Sequence, residues 1–435
     1  MENLLIDKQL NITALGIDIS KDYTLVGFMC DGMTEPDSMS IAKEEKRYLI
    51  PTCMYKMQNV NQWFIGEEAA FRAKDEGESG NYIDNFLDAV KNKGTYFIEE
   101  REYKAKELLG IYIELVIEKA REILNFHSVS HIAVTVEKTE KNITDTILGK
   151  LRIMGYKEEN IRVINHTEAF IYYVINQKRE LWVNDVVIFD FSNHHFKYRR
   201  LKTIKNRVPS ILTVDEEDFS KLMDMTYIST DADKARLDEK FLSLVQEKFG
   251  KKIISSVFLT GVGFYDEWAD KSIKEICTRR RVFKGYNLFV KGACYAALKR
   301  YMNITDTEYI FSCDGRTKAN IGITIKHKDR HLSVLLSKAG SNWYEAGVKT
   351  ECILDDTSKL EFIVSSVDNV VSEKVTVDLS AFPKRANKAT RVEIVISYIN
   401  DSSFEIIVKD LGFGDFFKAS NMVVRKTVDV NEILG

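Results

Sequence analysis

Two stretches of this sequence close in the same way, and that repetition constrains the fold more than anything else in the chain. Val186, Val187, Ile188 and Phe189 form an unbroken β-branched and aromatic run that ends on Asp190. Ala14, Leu15, Gly16 and Ile17 lead in the same manner to Asp18. Continuous apolar runs of this length read as strands buried on both faces. The acid at the end of each falls where such a strand leaves its sheet. The two acids lie 172 positions apart (190 − 18), which predicts two similar lobes facing each other across a cleft.

The rest of the first region alternates. Helical periodicity or acidic helix starts mark residues 67–72, 104–126, 139–155, 168–178, 215–225, 231–249, 265–278 and 291–302, and extended patterns mark 131–136, 161–164, 185–205 and 257–260. Alternation of this kind argues an α/β sheet. Beyond Asn303 the texture changes to short period-2 segments at 321–325, 332–336, 360–364, 375–379, 392–396 and 404–408, separated by polar turns. That is the pattern of an all-β sandwich. The expected division is 1–303 and 304–435.

At 435 residues the chain is long for one core, which agrees with two domains. A net charge of −3 gives no general attraction to nucleic acid or to anionic membrane. The six cysteines form no C-x-x-C pair, so neither a disulfide frame nor a zinc site is expected. No basic start followed by an apolar run and no stretch of about 18 apolar residues occurs. A cytoplasmic protein that contacts neither membrane nor nucleic acid is the expectation.

The order of the pieces resembles a family. Gly16, Ile17 and Asp18 open a hairpin, followed by 48–52, the glycine-bounded helix start at 65–69, and then 133–136, Ile164 with Asn165, Phe189 with Asp190, and 259–263. Together they are similar to the nucleotide-binding domain of actin-like ATPases, most closely the DnaK-type heat-shock chaperones. Residues 321–323, 375–379, Phe382 with Pro383, and 404–410 resemble that family's peptide-binding sandwich. The resemblance implies an α/β actin-like, duplicated ribonuclease-H-like ATPase-type domain followed by an all-β sandwich. It implies ATP or ADP with magnesium as the ligand, held near Asp18, Ser20, Asp190, Gly261 and Gly263, and a protein or extended peptide as partner at the β-domain.

The departures from that family matter more. Ile19, Ser20, Lys21 and Asp22 follow Asp18, and Phe191, Ser192, Asn193 and His194 follow Asp190, where the family uses small glycine-rich turns that bring backbone amides to phosphate oxygens. A Cβ at each position holds a ligand off. Ala70 stands where the family has a catalytic lysine, and His166 with Thr167 replace an acid and a proline. Ser256 follows Asp190 by only 66 positions (256 − 190), too few for a full adenine-covering subdomain. No helical lid of the kind that family carries is expected after the last strand, at 404–408.

Each candidate has a plain structural reading beside the functional one. Asp18 and Asp190 could hold magnesium or be strand-end acids bonded to nearby amides. His194 and His195 read better as a hairpin tip than as a metal or base pair. Gly261 and Gly263 could admit a nucleoside or simply turn a strand into a helix. The basic run Lys197, Arg199, Arg200, Lys202, Lys205 and Arg207 reads as a solvated strand face. No motif of a hydrolase, zincin or phosphate loop is present. The resulting expectation is a binding module with a degenerate, non-hydrolysing nucleotide site and no cofactor or metal, with ATP or ADP and magnesium as the alternative. The rival readings are an ATPase with divergent loops, and a self-assembling structural subunit that forms homo-oligomers.

Overall fold

A computed structural model describes residues 10–42, 46–75, 79–192, 195–223, 230–298, 309–328 and 330–434. The chain divides into two compact units, Met1–Glu308 and Tyr309–Gly435. The expected junction at Asn303–Thr307 lies outside the described residues.

In the first unit, Ile12–Ile19 is the centre of one sheet. It pairs antiparallel with Tyr23–Cys30 and parallel with Val129–Val136, which pairs in turn with Ile161–Asn165. Its alternate side chains are buried on both faces, as the unbroken apolar run requires. The helix Leu288–Ala297 lies directly on it. A Cβ at Gly16 would come within 2.6 Å of the Val290 carbonyl oxygen, so the helix can approach only because that position has no side chain. The second sheet is centred on Asp185–Phe191, which pairs antiparallel with Phe196–Ile204 and parallel with Ile254–Thr260. Ser210–Asp218 and Arg281–Lys284 extend it on either side. One face buries an aromatic core of Phe189, Phe191, Phe196, Phe241, Phe264 and Trp268.

Both sheets share a strand order, a hairpin on one side and parallel strands on the other, but the unit is not the duplicated actin-like ATPase-type domain that the resemblance implied. The chain is a mixed α/β assembly of several separate sheets, about 40% strand and 27% helix, followed by an all-β region. Two further small sheets, Met54–Met57 with Trp63–Ile65 and Gly80–Ile83, and the hairpin Thr95–Ile98 with Arg101–Lys104, belong to the first half. Local runs specify which strands are buried; they do not specify that two halves are copies.

Two elements also differ from expectation. Residues 215–218 are strand, within Ser210–Asp218, where a helix was predicted. The acidic run is held extended by the basic run opposite it, with Arg200 facing Asp215 and Arg199 facing Glu216. The helix expected over 265–278 is shorter, Asp270–Cys277.

The second unit is a sandwich. Ala319–His327 lies between Arg330–Ser337 and Lys359–Ser366, with Ser372–Asp378 beyond; the facing sheet runs Val348–Ile353, Arg391–Tyr398, Ser403–Gly412, Val423–Asp429. Alternate residues such as Ile321, Phe362, Val392, Ile394, Phe404 and Ile406 fill one core between the sheets. Within it, buried Asp410 accepts both Arg385 Nη atoms at 2.7 Å, the Gly412 amide, and the Ser420 amide and hydroxyl.

Candidate functional site

The two strand-end acids are buried, both only 4% exposed, and each is already partnered by the protein. His166 begins the helix His166–Ile175, directly after the strand Ile161–Asn165, and the Asn165 side chain caps that helix by accepting the Glu168 amide. This fixes the imidazole over the sheet, where His166 Nε2 lies 2.8 Å from Asp18 Oδ1. The ring stacks flat on Phe289, with centroids 4.2 Å apart and planes within 5°.

Asp190 is held from its own sheet. Arg199 Nη1 donates to Asp190 Oδ2 at 3.1 Å, and His195 Nε2 sits 3.2 Å from the same oxygen. His195 Nδ1 meets Ser192 Oγ at 2.9 Å. Arg199 is only 1% exposed and its Nε donates to Glu216 at 2.8 Å. Its guanidinium also lies over Phe289, 5.8 Å from the ring centre. One phenylalanine thus backs both halves, His166 with Asp18 on one side and Arg199 with Asp190 on the other. Thr167 donates to Glu216 at 3.0 Å and Lys197 pairs with Glu137, so two further contacts cross between the halves.

Proton affinities follow from these pairs. Burial raises the Asp190 carboxyl, but the cations of His195 and Arg199 outweigh it and hold the group well below the usual carboxylate range. Burial disfavours charge on His195, but Asp190 outweighs it and raises the imidazole. Glu137 is partly desolvated, yet the Lys197 ammonium draws it down to about 2; its side chain is 45% exposed, so solvent screens much of that attraction.

These residues do not fit a magnesium triphosphate. Asp190 receives two cationic groups on Oδ2 and Asp18 meets an imidazole through Oδ1, so one oxygen of each acid is already taken by the protein. Ser20 is folded onto its own turn, with its hydroxyl donating to the Tyr23 carbonyl at 2.7 Å and its amide at 3.0 Å. Gly261 has φ +94°, and a Cβ there would lie 2.1 Å from the Phe191 carbonyl oxygen. Close backbone packing accounts for that glycine without a ligand. Gly263 is buried, and its carbonyl accepts the Trp268 indole at 2.7 Å. Two buried atoms near Asp18, His166 Nδ1 and Thr135 Oγ1, have no partner among the described residues. Their hydrogen-bonding capacity is far short of what a triphosphate needs. Among the described residues no group of three or more acids, histidines or cysteines could hold a metal ion.

The structure brings Asp18 and Asp190 into one network, and leaves Ser20, Gly261 and Gly263 to local roles. His195 lies in the turn of the hairpin between Asp185–Phe191 and Phe196–Ile204, as expected, and its half-buried side chain also partners Asp190; His194 and Asn193 lie outside the described residues. The basic run is a solvated face only in part: Lys197 and Arg199 are buried, Arg200, Lys202 and Arg207 are half-buried, and Lys205 is exposed. Glu137, His166, Arg199 and Glu216 were not singled out as site residues. The available signal was the pairing of two charge runs, Lys197 to Arg200 and Asp215 to Asp218, on consecutive strands.

Models of two protein families match the chain. One, described as the C-terminal part of a family of unknown function (DUF5716), covers residues 35–314. The chain belongs to the DUF5716 family. The second, a domain of unknown function (DUF8552), covers residues 316–430. The DUF5716 match contains Asp190, His195, Arg199 and Glu216, whereas Asp18 precedes it. A search of curated proteins returns no match. All six cysteines are free thiols, and no helix among the described residues is long and apolar enough to cross a membrane.

Proposed function

We propose that this protein binds an extended peptide segment of a partner at its sandwich unit, in a chaperone-like role, and that the charged network of its first unit is a structural lock with no ATP-hydrolysing function. The observation that carries this reading is the difference between the two sides of the sandwich. On one side the sheets are stitched. Lys426 Nζ donates to the Thr376 carbonyl at 2.9 Å, and the short helix Val430–Leu434 packs against Lys359–Ser366 and Ser372–Asp378.

On the other side lie two edge strands, Arg330–Ser337 and Val348–Ile353, each paired on one side only among the described residues. A cleft of about 1210 Å³ opens there, with Ile323, Val334, Leu336, Cys352 and Ile394 in its lining and Lys328, Lys359 and Lys388 at its rim. An extended chain can add its backbone to an open edge and place alternate side chains in such a cleft. The free thiols support a reducing, cytoplasmic setting.

Panning random heptapeptides against the intact chain tests the reading. Enriched peptides should carry apolar residues at alternate positions, and Ile353→Glu, at a half-exposed edge position, should weaken them at least tenfold. No enrichment, or equal binding to the variant, would count against it.

A further inference from the structure

A second cleft, of about 1080 Å³, lies on the first unit between the helices Ala105–Leu124 and Lys141–Ile153 and the hairpin at Tyr103. The geometry points to this furrow as a docking site for one amphipathic helix of a partner protein, acidic at the end that lies over Lys93, Lys104 and Lys106.

Its shape is set by two glycines. A Cβ at Gly149 would meet nothing within 4 Å, and one at Gly110 would touch only the Lys150 side chain, 3.7 Å away. Their bare backbones leave a trough between the two helices. The trough is apolar, lined by Ile111, Leu115 and Ile153. Ile153 is 82% exposed although it ends a helix whose inner face is well packed. One wall is aromatic, with Trp63 edge-on to Tyr103 at 5.7 Å. Along the longer helix the lining runs from Lys104 to Glu118, about 21 Å at 1.5 Å per residue, or roughly four helical turns. Grooves of this form take helices through anchors spaced at i, i+3, i+4 and i+7.

Charge complementarity selects the polarity of the occupant. Most ionic groups in the lining are already matched: Lys150 with Glu114 at 2.6 Å, Arg101 with Glu107 at 3.8 Å, and Asp145 with Lys141 at 3.3 Å. Lys93, Lys104 and Lys106 make no ion pair among the described residues, and all three stand at one end. Three unmatched ammonium groups favour carboxylates there and disfavour a basic end. The site is separate from the sandwich cleft, so its fate does not depend on the function proposed above.

The probe is a fluorescent 15-residue peptide with leucines along one helical face and three glutamates at one end. A version ending in lysines and a version broken by a central proline are the controls. Binding to the full chain is read by anisotropy. The glutamate peptide should bind saturably, and both controls at least tenfold more weakly. Ile153→Asp should lower its affinity at least tenfold, and Lys104→Glu with Lys106→Glu should reverse the preference toward the lysine peptide. Both changes are at exposed positions, and circular dichroism confirms that each variant folds. No saturable binding, equal binding of all three peptides, or undiminished binding to Ile153→Asp would overturn the assignment. Self-association of the chain that Ile153→Asp abolishes would identify a second copy as the occupant and overturn it as well.

Discussion

The two strand-end acids make the instructive comparison with the sandwich. In the first unit, Asp18 and Asp190 emerge where a ligand site could form, and the protein fills that place with its own His166, His195 and Arg199. In the second unit the charged pair of Asp410 and Arg385 is closed on itself at the buried end of the strand Ser403–Gly412, while the cleft on the open side keeps Ile323, Val334, Leu336 and Ile394 in its lining. The strand-end acids are spanned by cationic and imidazole partners from the same unit, whereas the sandwich cleft leaves apolar side chains open beside two edge strands.

Breaking the first network should have the largest effect. Arg199→Met removes a buried cation from two carboxylates at once, and should cost about 3–5 kcal/mol of unfolding free energy, measured by denaturant titration. The corresponding change in the sandwich, Asp410→Ala, removes five hydrogen bonds but leaves Arg385 nearer to solvent, and should cost about 2–3 kcal/mol. If the two losses were equal or reversed, the first network would not be the more tightly held of the two. Gly261→Ala should cost about 1–3 kcal/mol through the strained φ and the contact with Phe191. An unchanged stability would mean that the glycine serves something other than backbone packing.

Acidity sharpens the comparison further. The carboxyls of Asp190 and Asp410 are depressed, so their contribution is complete above the ordinary carboxylate pKa of about 4. It is lost as the pH falls through their folded values. His195 is raised, so its contribution is complete below the ordinary imidazole pKa of about 6.5 and is lost as the pH rises through its folded value. Stability of the first unit should therefore decline on both sides, and His195→Gln should flatten the alkaline side and, because His195 helps depress Asp190, shrink the acid limb as well. Denaturant unfolding across a pH series, followed by tryptophan fluorescence, reads both limbs. An alkaline decline that persists in His195→Gln would show that another group causes it.

Some of this was legible in the sequence. The unbroken run at Val186–Phe189 announces a doubly buried strand, and the alternation at 392–396 and 404–408 announces sandwich strands, because burial on one or both faces is written in local period. The strand character of residues 215–218 was not, because acidic residues at that spacing suit a helix start equally well, and only Arg199 and Arg200 across the hairpin decide between them. The occupied state of the acids was hidden for a related reason. Phe289, which backs both His166 and Arg199, lies 271 positions (289 − 18) from Asp18. The family resemblance located Asp18, Asp190, Gly261 and Gly263 by their local runs. What each of them touches depends on residues far away in the chain.

The central claim is that Asp18 and Asp190 are committed to internal partners and leave no site for nucleotide. Isothermal titration of the intact chain with ATP and magnesium addresses it directly. The account predicts no saturable heat up to millimolar nucleotide, whereas binding with a Kd of about 10 μM, close to 7 kcal/mol of favourable free energy, would contradict it.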